Sequence, residues 1–189
     1  FTVAGTVVSI TGSTTSTTAY KHLTTAPGAS FRDHASVLTN PLRYNAAVGA
    51  ALNCTAATGT CVSLVENNNR VSNLQITASA DRGRALTVSG SAAFVDNCII
   101  EGGAVSALTS NGTILFSSAG TLRNCVIIQR WGSADHIIAT QIQSPFFYNC
   151  TIVAPIGLTD QPEFLFATGA SGTVTVQNCA LFLGDSTKV

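Results

Sequence analysis

Apolar and polar residues alternate with period two in short runs along most of the chain, and these runs recur. Five segments align without gaps on the pattern apolar, any, Asn, Leu or Cys, any, Ile or Leu, any. They begin at Val71, Val95, Leu122, Phe147 and Val176 and carry the asparagines Asn73, Asn97, Asn124, Asn149 and Asn178. The intervals between these asparagines are 24, 27, 25 and 29 residues. Ala51-Leu52-Asn53-Cys54 reads as a degenerate first copy, 20 residues before Asn73. Alternation of this kind is a strand signal. Further β-rich runs lie between the copies, at 85–88, 113–116, 137–140 and 164–167, each followed by Gly, Ser or Pro turn residues. Short strands repeating about every 25 residues define one coil of a parallel β-helix. The predicted fold is all-β, a right-handed parallel β-helix of about five to six coils with an N-terminal β arm and cap.

The repeat assigns positions. Asn tolerates the left-handed backbone that a tight corner between strands demands. Stacked amides at successive corners would form a ladder that satisfies polar groups at a buried corner. The next residue turns inward, so Leu74, Cys98, Cys125, Cys150 and Cys179 form an interior column. Ile76, Ile100, Ile127, Ile152 and Leu181 form another. The intervening positions point outward. There Ile99, Val126, Ile128, Val153 and Phe182 make an apolar stripe. A contiguous apolar patch marks an interface, here between chains or beneath the amino-terminal segment.

The segment before the repeat reads differently. Residues 1–29 form a Thr-rich β arm, either an exposed hairpin or an arm that crosses to a neighbour. Residues 30–60 form a capping segment, with a short helical turn near Ser30 to Leu38 and a strand or loop that closes the lower end. Residues 61–189 form the β-helix.

Composition narrows the function. Charged residues are 10% of the 189, against roughly 25% in ordinary soluble domains. Nine Lys and Arg balance nine Asp and Glu, which removes any general attraction to nucleic acid or an anionic membrane. Hydrophobic residues are 46% and the mean hydropathy is +0.34, so the chain can bury a sizeable core and is not a disordered one. A neutral, weakly charged surface self-associates. The opening Phe1 and the absence of Met point to a longer or processed polypeptide.

The six cysteines read mainly as small buried hydrophobes. Cys54 and Cys61 can close a small loop as a disulfide or stay free. No CxxC or Cys/His cluster calls for a metal, and no cofactor is implied. Candidate chemistry is sparse. Asp96 and Glu101 flank one Asn corner, but Asp96 aligns beneath Arg123 and reads as half of a surface ion pair. The 81–84 loop reads as a solvated turn, and Asp135-His136 beside Trp131 as a structural connection. Asn53, Asn111 and Asn149 each open a glycosylation pattern. No catalytic residue is assigned.

The stretch Ser30-Phe31-Arg32-Asp33, Asn40-Pro41-Leu42-Arg43-Tyr44-Asn45 and Gly49-Ala50-Ala51, running into the Asn-Cys coils, resembles segments of the β-helix structural proteins of tailed bacteriophages. The resemblance covers most of residues 28–182. It implies a non-enzymatic homotrimer on the virion surface that decorates or cements the head, or forms part of a fibre, with the major capsid protein among its partners. No catalytic residue transfers. The alternatives are a tailspike-like, polysaccharide-binding or depolymerising β-helix and a surface-adhesin fragment.

Overall fold

A computed structural model describes residues 1–36, 38, 42–56, 59–79, 83–105, 113–132, 136–140, 143–154, 164–168 and 172–183. Among the described residues nineteen strands stack into three parallel sheets, the walls of a β-solenoid. The first wall holds seven strands: Thr2–Val3, Ala51–Cys54, Gln75–Ala78, Ile99–Val105, Val126–Gly132, Thr151–Ala154 and Ala180–Leu183. The second holds six: Val8–Ile10, Thr60–Leu64, Arg84–Val88, Ile114–Phe116, His136–Thr140 and Phe164–Thr168. The third holds six: His22–Leu23, Arg70–Ser72, Ala93–Asp96, Gly120–Arg123, Phe146–Tyr148 and Thr175–Gln177. The chain visits the walls in that order and then begins the next course.

Register between courses is set by the interior columns, because a one-residue slip would turn every apolar side chain outward. Ile76, Ile100, Ile127 and Ile152 stack on the first wall. Leu64, Val88 and Phe116 stack on the second. Val71, Val95, Leu122 and Phe147 stack on the third. All belong to one contiguous core that also contains Leu74, Cys98, Cys125 and Cys150.

The turn from third to first wall takes two residues in each repeated course. Its asparagines have left-handed backbones: Asn73 (φ 61°), Asn97 (53°), Asn124 (54°), Asn149 (52°) and Asn178 (54°). Each of the first four donates its backbone N–H to the next course, as from Asn97 to Arg123 O at 3.0 Å.

The amino-terminal expectations need correction. Residues 1–29 are not a separate arm. Thr2–Val3, Val8–Ile10 and His22–Leu23 pair in parallel with Ala51–Cys54, Thr60–Leu64 and Arg70–Ser72. This arrangement beats a hairpin because it lays Val8, Ile10 and Leu23 beneath Val62, Leu64 and Val71, continuing the core columns. The expected helical turn shrinks to a 3-10 helix at Phe31–His34, capped reciprocally by Ser30 and Asp33. Residues 24–50 run from the third wall of the first course to the first wall of the second. Within this segment Asn45 and Val48 lie against the outside of the first wall. There Gln75, fully buried, accepts from Asn45 N–H at 2.7 Å and donates to Asn45 O and Val48 O.

Asn53 also needs correction. It lies inside a first-wall strand and pairs with Thr77, not with a corner. The corner of that course is Gly49-Ala50: Ala51 pairs with Gln75, Gly49 has φ 75°, and Gln75 N–H donates to Ala50 O at 3.1 Å. Gly replaces Asn because a Cβ there would stand 2.5 Å from Phe31 N.

Candidate functional site: the outer faces of the solenoid

The third wall and its Asn corner carry the densest polar chemistry among the described residues. Residues alternate along each strand, so one outward column runs Ser72, Asp96, Arg123, Tyr148, Gln177. A second runs His22, Arg70, Phe94, Thr121, Phe146, Thr175. Asp96 is the hub. Arg123 reaches it through Nε (3.2 Å) and Nη2 (3.0 Å), Asn124 Nδ2 donates to it at 2.9 Å and Asn97 Nδ2 at 3.1 Å. The ion pair with Asp96 raises the Arg123 pKa further above its ordinary value. The guanidinium also lies 5.0 Å from the Phe94 ring centre, a cation–π distance. Phe146 and Tyr148 lie side by side with ring planes 4° apart. Arg70 stacks on Tyr20 at 3.7 Å.

The asparagines do not form a buried ladder. Asn124, Asn149 and Asn178 are exposed. One amide-to-amide bond joins Asn149 Nδ2 to Asn124 Oδ1 at 3.3 Å, while Asn97 and Asn124 turn to Asp96 and Asn73 turns to Ser72 and Thr24. The corner therefore wants Asn for its backbone conformation first and for its amide second. Replacing Asp96 by Ala removes the shared acceptor, but the exposed Arg123 and Asn124 turn to water. Urea denaturation should therefore show a loss of no more than about 1 kcal/mol.

A groove of about 570 Å³ opens at the foot of this corner, lined by Thr25, Pro27, Ser30, Arg32, Asp33 and Asn73 among others.

The first wall shows a different outer face. Its two outward columns run Gln75, Ile99, Val126, Thr151, Ala180 and Thr77, Glu101, Ile128, Val153, Phe182. Ile99 is only 1% exposed although it lies outside the core cluster, so it leaves the expected stripe. Val126, Ile128 and Val153 are half-buried and Phe182 is 59% exposed.

The interior corner column is built of thiols. Cys98, Cys125 and Cys150 are buried and Cys179 half-buried. Each donates S–H to the carbonyl two residues before it: Asp96 O, Arg123 O, Tyr148 O and Gln177 O, at 3.2–3.4 Å. Cys54 and Cys61 form no bridge in this structure. The Cys54 thiol instead donates to Gly5 O at 2.8 Å, satisfied by the first course of the solenoid. Burial, with the nearby Cys54, pushes the Cys61 thiol up to about 12. Burial raises Cys125 and Cys179, and the Cys125 contact followed by burial raises Cys150.

The Cys61, Cys125 and Cys150 thiols stay protonated when folded and ionise when unfolded. Stability is therefore flat below the ordinary thiol pKa, near 8.5, and falls as pH rises above it. The slope is about 1.4 kcal/mol per pH unit for each thiol held neutral. Denaturant midpoints at pH 7 and pH 10 check this.

Among the described residues no three metal-binding side chains converge and no helix is long and apolar enough to cross a membrane. Asp81, Arg82, Asn111 and Asp135 lie outside the described residues. Trp131 and His136 sit on first- and second-wall strands. The sequence reading missed Tyr20, Arg70, Phe94 and Phe146 as surface groups. Arg70, Phe94 and Phe146 carried a signal, the column three places before each Asn, and Tyr20 carried none. No known protein family, curated protein or solved structure matches the chain.

Proposed function

We propose that this chain is a non-enzymatic structural module of a bacteriophage virion. In this reading it is a right-handed β-helix of about five to six coils that associates as a homotrimer and decorates or cements the capsid, or forms part of a fibre. Right-handedness rests on the strong preference of parallel crossovers. The reading rests chiefly on one observation, the outward apolar patch of Val126, Ile128, Val153 and Phe182 across two columns of the first wall. Water on such a face costs roughly 25 cal/mol per Å² of apolar surface, and packing it against neighbouring copies around a threefold axis removes it. The Asp96 carboxylate supports the non-enzymatic part, because four hydrogen bonds already occupy its oxygens.

Sedimentation equilibrium at micromolar concentration should give three times the chain mass of 19.4 kDa. Val153→Lys with Ile128→Lys should give monomers. A wild-type monomer would sink the proposal.

A second reading, a polysaccharide-binding or depolymerising β-helix, draws on the aromatic and amide groups of the third wall, Phe94, Phe146, Tyr148 and Asn124. New reducing ends or unsaturated sugar, after incubation with bacterial surface polysaccharide, would favour it over the first.

A further inference from the structure

The geometry points to Cys150 and Cys179 as a redox-closed staple, a pair that joins as a disulfide across consecutive courses when the protein meets a small-molecule disulfide. This goes beyond the structural role proposed above and does not depend on it. Both residues occupy the same corner position. Their neighbours are in register, Tyr148 with Gln177 and Thr151 with Ala180, and Ala180 N–H donates to Cys150 O at 2.9 Å. Strand spacing of about 4.8 Å puts the two Cα atoms inside the window of about 4.4–6.8 Å that a disulfide spans.

Cys98–Cys125 and Cys125–Cys150 share that spacing, and in all three steps the backbone N–H of the lower cysteine meets the upper sulfur, here Cys150 N–H to Cys179 Sγ at 3.3 Å. Access singles out this step. Cys98, Cys125 and Cys150 are buried, whereas Cys179 is half-buried between the exposed Val176 and Leu181. A reagent therefore reaches the column at Cys179.

The chemistry runs as two thiol–disulfide exchanges. The Cys179 thiolate attacks one sulfur of oxidised glutathione, the glutathione S–S bond breaks, and one glutathione leaves as a thiolate. Cys150, losing its proton, then attacks the Cys179 sulfur and expels the second glutathione. The two cysteine protons end on the two glutathiones. The cysteine pair is oxidised by two electrons and one glutathione disulfide is reduced to two thiols. Because both thiols are held protonated at neutral pH, the rate rises with pH.

The test is incubation of the full chain with oxidised glutathione at pH 8, an acid quench, alkylation, intact mass and a peptide map. Six titratable thiols should fall to four, with one linked peptide pair containing Cys150 and Cys179. Cys98→Ser should keep the link and Cys179→Ser should abolish it. The wild-type map decides the matter even where a variant folds poorly. A Cys125–Cys150 link, a Cys179 that stops as the glutathione adduct, or six unchanged thiols would each overturn the proposal.

Discussion

Phe147→Ala is expected to lower the free energy of unfolding by about 3–5 kcal/mol, read from urea denaturation followed by circular dichroism. Phe147 is fully buried on the third-wall strand Phe146–Tyr148. It stacks in register between Leu122 below and Val176 above. Its ring meets Phe116 of the second wall edge-on, with centres 5.8 Å apart and planes at 81°. Such aromatic pairs add about 0.5–1.5 kcal/mol beyond the area they bury. Truncation leaves a cavity between two walls that ladder hydrogen bonds prevent from collapsing. Phe146, one residue earlier, points outward and is exposed, so Phe146→Ala should cost less than about 1 kcal/mol. Equal losses at 146 and 147 would mean that the inside and outside of this wall have been exchanged. A solenoid transmits strain mainly to its nearest neighbours. Hydrogen-exchange protection should therefore fall first in the strands Gly120–Arg123 and Thr175–Gln177 that flank Phe147.

The contrast between these adjacent phenylalanines was legible in the sequence, because the Asn corner fixes the phase of every strand around it. Once Asn124 and Asn149 are aligned, Leu122 and Phe147 must point inward and Ile127 and Ile152 must follow. The inward columns of the third wall, the corner and the first wall come from that single anchor, whereas the second-wall column does not, because the connections to it vary in length. The first course lacked the anchor. Its corner is Gly49-Ala50, reached only after the excursion of residues 24–50, and Asn53-Cys54 imitates the motif four residues out of phase. Thr-rich strands of two or three residues also look like a surface hairpin until a course is available to lie beneath. Period-two alternation says which residues share a face and not which strand they meet. The same limit applies to the apolar stripe. The alignment correctly set Ile99 facing away from the core, but only the fold reveals that this position is covered. The amides illustrate a further limit. The alignment put them on one vertical line, yet whether an amide bonds to its own kind or to a carboxylate beside it depends on Asp96, a residue present in one course alone.

Gly90→Ala and Ala92→Gly, two residues apart, are expected to move stability in opposite directions. Both lie in the turn from second to third wall, which is clamped onto the course below. Ser89 N–H and Gly90 N–H donate to Leu64 O at 2.8 and 2.9 Å, and Asn68 N–H donates to Ser91 O at 2.8 Å. Ser91 N–H donates to Asn67 Oδ1 at 2.8 Å. A Cβ on Gly90 would overlap the Glu66 carbonyl and come 2.9 Å from Asn67 N. Those atoms are backbone and cannot swing aside, so the two courses must separate and several of these bonds must lengthen together. The expected loss is about 3 kcal/mol, at the upper end of overpacking costs. Ala92 has φ 54°, a left-handed conformation that costs an L-residue about 1–2 kcal/mol. The course below has Asn68 at the matching place, with φ 55°. Glycine at 92 removes that strain but gains freedom in the unfolded chain, worth about 0.4–1 kcal/mol. The net effect is a small stabilisation, under about 1 kcal/mol. Thermal melts of the two variants beside the wild type make the comparison. A Gly90→Ala protein that melts with the wild type would mean that this turn does not rest on residues 66–67, and the vertical spacing of the second and third walls would then have to be set elsewhere.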